Sequence, residues 1–233
     1  MKKTIKKMLG ITAAAALTLS MGSMALIGCG GGAKNYDLEA EHAVITDGTA
    51  DDQQGAGPQP VHVTVESGNE YTGDPAKLGA EVTNVGYFAG TGTKLTWTVT
   101  ADKDCEATVY IRAASAMDFM SMMMGGELFP DYELSENKFF KLTVNESDVA
   151  LSGTIKGLPG VGFEQMSDPT IYKNFTLSAG NKINLKKGEN TIVLASTTTG
   201  SGGANIDKIV IKSSAKLTYT PADNSDREVS YGG

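Results

Sequence analysis

Two glutamates one residue apart, Glu39 and Glu41, lie in the segment Tyr36-Asp37-Leu38-Glu39-Ala40-Glu41-His42-Ala43. In an extended strand, residues i and i+2 project to the same face. The spacing therefore sets two carboxylates side by side. Like charges a pleat apart repel unless they are solvated or bridged by a cation. Calcium suits such a pair, because it takes several hard oxygen ligands from carboxylates and backbone carbonyls. Asp207, in Asn205-Ile206-Asp207-Lys208-Ile209, adds a third carboxylate if the last strand lies beside the first. The residues alone leave two readings open, a solvated acidic edge and a cation site. No acidic loop has the spacing of an EF-hand.

Other chemistries are poorly supplied. His42 and His62 are the only histidines, which excludes a histidine-rich metal site. The only cysteines are Cys29 and Cys105. No Gly-x-Ser-x-Gly elbow and no phosphate-cradling Gly-Lys-Ser/Thr loop occurs. Gly90-Thr91-Gly92-Thr93-Lys94 has the look of a phosphate loop but leads into a strand. A glycoside hydrolase needs only two carboxylates across a cleft, and no pair here stands out as such. The chain is expected not to be an enzyme.

The start of the chain gives an address. Lys2, Lys3, Lys6 and Lys7 precede an uncharged run from Met8 to Ile27, which ends in Leu26-Ile27-Gly28-Cys29. A basic start, an apolar middle and small residues at the end mark a secretory signal peptide. The Leu-Ile-Gly-Cys ending resembles the bacterial lipobox, which implies lipidation of Cys29. The protein is then expected outside the cytoplasm, lipid-anchored to a bacterial membrane at the cell surface. Cys105 is left alone, so no intramolecular disulfide is available. The first 28 residues hold four of the 20 basic residues and none of the 27 acidic ones, so the remainder is more acidic than the whole-chain charge of −7. That balance argues against nucleic acid and against charge-driven binding of anionic lipid.

Stepping along the rest, the elements read as short strands. Leu95, Trp97 and Val99 alternate with threonines. Ala107, Val109 and Ile111 alternate with polar residues, as do Phe140, Leu142 and Val144 before a turn at Asn145-Glu146. Ile192 and Leu194 follow the Lys187-Gly188-Glu189-Asn190 turn, and Ile209 and Ile211 end the series. A period of two gives strands with one buried face, and many short strands without a long helical period predict a β-sandwich. Trp97 is expected in the core. The domain plan is a lipoprotein signal peptide over 1–28, the lipidated cysteine and tether over 29–35, one β-sandwich over 36–219, and a polar, frayed C-terminal tail over 220–233. The segment Asp47 to Pro60 is expected as an exposed loop.

The order of these pieces carries a family resemblance. The Glu-Ala-Glu opening, the strands at Leu95–Thr100 and Ala107–Arg112, the run Leu142-Thr143-Val144-Asn145, the turn Leu185-Lys186-Lys187-Gly188-Glu189-Asn190-Thr191-Ile192 and the Asn205-Ile206-Asp207 close together resemble the carbohydrate-binding modules of families 6 and 35. The resemblance runs from about Tyr36 to Ile211. It implies an all-β fold, a galactose-binding-domain-like β-sandwich of the jelly-roll kind. It also implies a structural calcium ion at Glu39, Glu41 and Asp207. The family's sugar site lies in loops at one end of the sandwich, with aromatics from two loops and an asparagine just before the final strand. A sugar ring stacks its apolar face on an aromatic ring while amides and carboxylates read its hydroxyls. Asn205 matches that asparagine, Tyr172 matches one aromatic, and Tyr87 or Phe88 is expected to supply the other. The partner implied is a glycan or polysaccharide. Two alternatives stand beside this: a protein-binding sandwich that has lost its sugar site, and a glycan-cleaving hydrolase or lyase on a jelly roll.

The segment Met117-Asp118-Phe119-Met120-Ser121-Met122-Met123-Met124 fits neither strand nor amphipathic helix. Its methionines are crowded rather than spaced on one face, which predicts a loop or a single turn. Exposed methionines make soft, adaptable contact surfaces, so this segment is the place for a surface protein partner if there is one. A hydrophobic cap over one end of the sandwich is the plainer reading.

Overall fold

The computed structural model of the chain describes residues 32–51, 57–67, 82–115, 118, 122–161, 174–199 and 203–230. Cys29 and Tyr172 lie outside the described residues, as do Met117, Phe119, Met120 and Ser121. Among the described residues the strands of the first half are β1 (Lys34–Glu39), β2 (Val44–Thr46), β3 (Thr49–Asp51), β4 (Pro58–Pro60), β5 (Thr64–Ser67), β6 (Asn84–Phe88), β7 (Lys94–Ala101), β8 (Cys105–Ser115) and β9 (Tyr132–Glu133). The second half adds β10 (Phe140–Val144), β11 (Ser147–Val149), β12 (Thr154–Ile155), β13 (Thr176–Leu177), β14 (Asn181–Leu185), β15 (Gly188–Ser196), β16 (Ala204–Ser213), β17 (Leu217–Tyr219) and β18 (Glu228–Ser230).

Two sheets carry the fold. One has eight strands, with the path β13-β8-β16-β6-β5-β18, β1 also on β16 and β14 also on β8. The other has six, with the path β11-β10-β15-β7-β17 and β2 also on β7. Two small ribbons, β3 with β4 and β9 with β12, complete the pairing. All pairings are antiparallel except β18 on β5. Alternation explains the layers. In β7 the residues Leu95, Trp97 and Val99 are buried while the threonines between them face outward. One continuous apolar cluster joins the inner faces of both sheets, with Ile111, Ile209 and Phe88 from one and Trp97, Leu142 and Ile192 from the other. This is the β-sandwich predicted from the period-two pattern.

The turns are built by side chains as well as backbone. Asn190 is buried in the β14–β15 turn, where its Oδ1 accepts from the Lys186 N–H at 2.8 Å. Its Nδ2 donates to the carbonyls of Lys186 and Gly188 at 2.8 and 3.0 Å. Gly188 there takes φ +94°, a conformation that costs any residue with a Cβ.

Two expectations need correcting. The segment 220–230 is not frayed: it carries β18 and several hydrogen bonds to the sandwich. The stretch from Asp47 to Pro60 is not simply a loop, because β3 and β4 pair within it. In both places polar composition hid hydrogen bonds, which leave no hydrophobic period in the sequence. In the methionine-rich segment, Met122 and Met123 form one helical turn, with the Met122 N–H donating to the Asp118 carbonyl at 3.1 Å.

Candidate functional site

The outer face of the eight-stranded sheet gathers most of the chemistry, and two irregularities put it there. Along β16 the residues facing the core are Ala204, Ile206, Ile209 and Ile211. The step of three between Ile206 and Ile209 marks a bulge, and the register with β8 shifts between Ile206 and Lys208. A bulge adds one residue to one strand and re-aims its side chains. Here it lets both Asp207 and Lys208 leave the apolar interior. Asp207 pairs with Arg112 of β8. Lys208 pairs with Glu39 at 3.0 Å and Asp37 at 3.1 Å, both from β1.

Glu41 comes from a single 3-10 turn, Ala40–His42, directly after β1. The turn is fixed by the Trp97 indole N–H, which donates to the Glu39 carbonyl at 3.0 Å. Trp97 is thus a core residue, as expected, whose polar end holds the acidic turn. Glu41 Oε2 is buried and has no hydrogen-bond partner among the described residues. Burial, followed by the charges of Glu39 and Asp207, pushes the Glu41 carboxyl up to about 8. Burial also raises Glu39, although Lys208 opposes it. Burial disfavours the Lys208 ammonium, yet Glu39, Asp207 and Asp37 more than offset that and raise its pKa.

The three expected metal residues are therefore close enough to act on one another's charge. As a donor set they suit calcium, which takes carboxylate and carbonyl oxygens. Glu39 and Asp207 are held by Lys208 and Arg112, and as the side chains stand no three His, Cys, Asp or Glu among the described residues are gathered into a metal site.

The second irregularity lies in β6. Its pairing with β16 joins Ala204 to Phe88 but Ile206 to Val85, so the register shifts there too. Val85 and Phe88 both face the core. Tyr87 takes φ +54°, uncommon for a residue with a side chain, and stands 56% exposed. Asn205 lies opposite the Gly86-Tyr87 step in this register. Phe88 is 1% exposed and tilts against Phe140 with centroids 6.0 Å apart. It is a core residue and is removed from the site, since a buried ring offers no face to a sugar.

Two further residues join this corner that the sequence reading did not single out. Asn84 Nδ2 donates to Asn205 Oδ1 at 3.5 Å and to Glu66 Oε2 at 3.4 Å. Glu66 and Asn84 are both buried. The Glu66 carboxylate lies over Gly86, where an added Cβ would fall 2.3 Å from Oε1. Glycine at 86 is what lets that acid approach the strand. The available signal was the period: Glu66 follows Val65 in β5 and Asn84 precedes Val85 in β6, each a polar residue beside an inward valine. Of the expected sugar residues, the structure brings Tyr87 and Asn205 to one corner.

Comparison with solved structures finds similar chains. The chain is similar to a family 35 carbohydrate binding module from Clostridium thermocellum, with 20% identity and a TM-score of 0.44 over 76% of this chain and 97% of that one. It is similar to a family 35 module from Cellvibrio japonicus, with 18% identity and a TM-score of 0.42 over 82% and 100%. It is also similar to the C-terminal family 6 module of a laminarinase from Zobellia galactanivorans, with 17% identity and a TM-score of 0.39 over 77% and 100%. No protein-family model matches the chain, and no curated protein matches it. Such identities and scores carry no ligand over to this chain.

Proposed function

We propose that the chain is a non-catalytic glycan-binding module, held at a bacterial cell surface through lipidated Cys29 and braced by calcium at Glu39, Glu41 and Asp207. The observation that carries the sugar reading is Tyr87. An aromatic ring in a left-handed backbone conformation, more than half exposed, is costly unless the surrounding structure holds it there. Beside it Asn205 supplies an amide of the kind that reads hydroxyls, and the buried Asn84 and Glu66 hold that amide in place. Tyr172 is proposed as the second aromatic face. The calcium reading is supported by the orphaned Glu41 oxygen and by the mutual repulsion of the three acids. Bound calcium would supply charge neutralisation for these acids and fix the turn that follows β1. The mechanism is capture: tethered copies hold polysaccharide by avidity, so modest single-site affinity suffices.

Binding of the full chain to an immobilised glycan library tests this, with and without chelator, alongside Tyr87→Ala and Asn205→Ala. Retention of a glycan by the wild type and its loss in both folded variants is expected. Failure to retain any glycan would overturn the sugar reading, and release of sugar on long incubation would overturn the non-catalytic one. A second reading, a protein-binding surface at Met117–Met124, is favoured by Met123 and Met124, which are 67% and 82% exposed.

A further inference from the structure

We infer that residues 220–230 form a clasp that ties the Glu41 turn to the Glu66 strand, so that the two corners of the outer face open and close together. The clasp grips at three points. At the first, the Ala222 N–H donates to the His42 carbonyl at 2.9 Å. Asn224 Nδ2 donates to the carbonyls of Glu41 at 2.7 Å and Ala43 at 2.8 Å, so one amide spans the turn. At the second, Arg227 meets Asp47 at 2.8 Å and donates to the Val63 carbonyl at 3.2 Å. Asp47 Oδ1 also accepts the Val63 N–H at 3.1 Å, which closes a joint just ahead of β5. At the third, β18 runs parallel to β5, with Val229 opposite Glu66.

No residue from Thr220 to Glu228 is buried. From Thr220 to Glu228 the segment is therefore held by hydrogen bonds and one ion pair rather than by a packed core. Segments of that kind open at a lower free energy than the fold as a whole. When this one opens, the Glu41 and Ala43 carbonyls lose their donor and β5 loses its outer partner in one event. Two distant grips on one short segment make a shared two-state element, which is the physical requirement for coupling.

Hydrogen exchange on the full chain tests the clasp without any ligand. Asn224→Ala cuts the first grip and Arg227→Ala the second. Each variant is expected to speed exchange in both 40–46 and 61–67 by about tenfold or more, with 94–101 unchanged. The crossed effect is the signature: Asn224→Ala must loosen β5, and Arg227→Ala must loosen the turn. Arg227→Lys, which keeps the charge, is expected to restore most of the protection. If each variant loosens only its own neighbourhood, or if protection falls everywhere at once, the clasp is refuted. The consequence for glycan rests on the reading under Proposed function, where Arg227→Ala should lower glycan affinity by roughly 3–10-fold. Absence of glycan binding in the wild type would sink that reading and leave the exchange result standing.

Discussion

Glu41→Gln separates burial from calcium in one experiment. Without a metal ion, the Glu41 carboxyl has a pKa of about 8 when folded, against an ordinary 4.5. Below pH 4.5 it is protonated in both states and costs nothing. Between 4.5 and 8 the folded chain keeps a proton that the unfolded chain has lost, so stability falls as pH rises through that window. Above 8 the loss is complete. At about 1.4 kcal/mol per pH unit, the loss amounts to roughly 3–5 kcal/mol. For a domain of this size that corresponds to a fall in Tm on the order of 10 °C. Glutamine carries no charge at any pH. Its buried amide costs about 1–3 kcal/mol if it finds no acceptor, a cost that does not vary with pH.

The assay is thermal melting of both proteins from pH 5 to 9, in excess chelator and then in millimolar calcium. In chelator the wild type should lose stability from pH 5 to 9 while Glu41→Gln stays nearly flat. In calcium the sign reverses, because ionised Glu41 becomes a ligand. The wild type should then hold its Tm at high pH, and Glu41→Gln should gain little from the metal ion. Parallel pH curves for the two proteins in chelator would refute the burial argument. Coincident wild-type curves with and without calcium would refute the cation reading and leave the burial argument intact.

The remaining predictions are smaller. Tyr87→Ala should cost glycan affinity by about tenfold, from a stacking loss of roughly 1–1.5 kcal/mol, with little change in Tm because the ring is exposed; titration calorimetry checks it. Gly86→Ala should destabilise by about 1–2 kcal/mol, since the Glu66 carboxylate must swing away from the new Cβ and out of its bond to Asn84; chemical denaturation checks it. Asn190→Ala should destabilise by roughly 1–2 kcal/mol, because it strips bonds from the Lys186 and Gly188 backbone in the β14–β15 turn; its denaturation midpoint should fall without a change in slope.

The sandwich was readable because its strands alternate cleanly. Leu95-Thr96-Trp97-Thr98-Val99 states both the strand and its buried face, and the structure agrees. Asn190 was readable as a turn residue, although its triple grip on the backbone was not. The partners of the acids were invisible. Nothing local in Arg112 or Lys208 says that they will meet Asp207 and Glu39, because those pairs depend on register across β8, β16 and β1. The C-terminal clasp was missed for a related reason. Asn224 and Arg227 act through single directed bonds to elements far away in sequence, and such bonds impose no pattern on their neighbours.

Whether Tyr87 or Phe88 faces solvent was beyond the sequence, and the bulge supplies the reason. A regular strand with Val85 inward sends Gly86 outward, Tyr87 inward and Phe88 outward, since a slip of one residue reverses every side chain after it. The extra residue in β6 cancels one alternation, so Val85 and Phe88 are both buried and Tyr87 stands out. The same argument governs β16, where the extra residue frees Asp207 and Lys208 together between Ile206 and Ile209. Adjacent strands each depart once from the period that identifies them, and each departure places a residue the candidate site uses. Deleting one of the two residues between the flanking core positions would restore the period of two and leave the faces as they are. In β6, deleting Gly86 would keep Val85 and Phe88 in the core and Tyr87 outside, whereas deleting Tyr87 would remove the candidate ring and leave the core alternation intact.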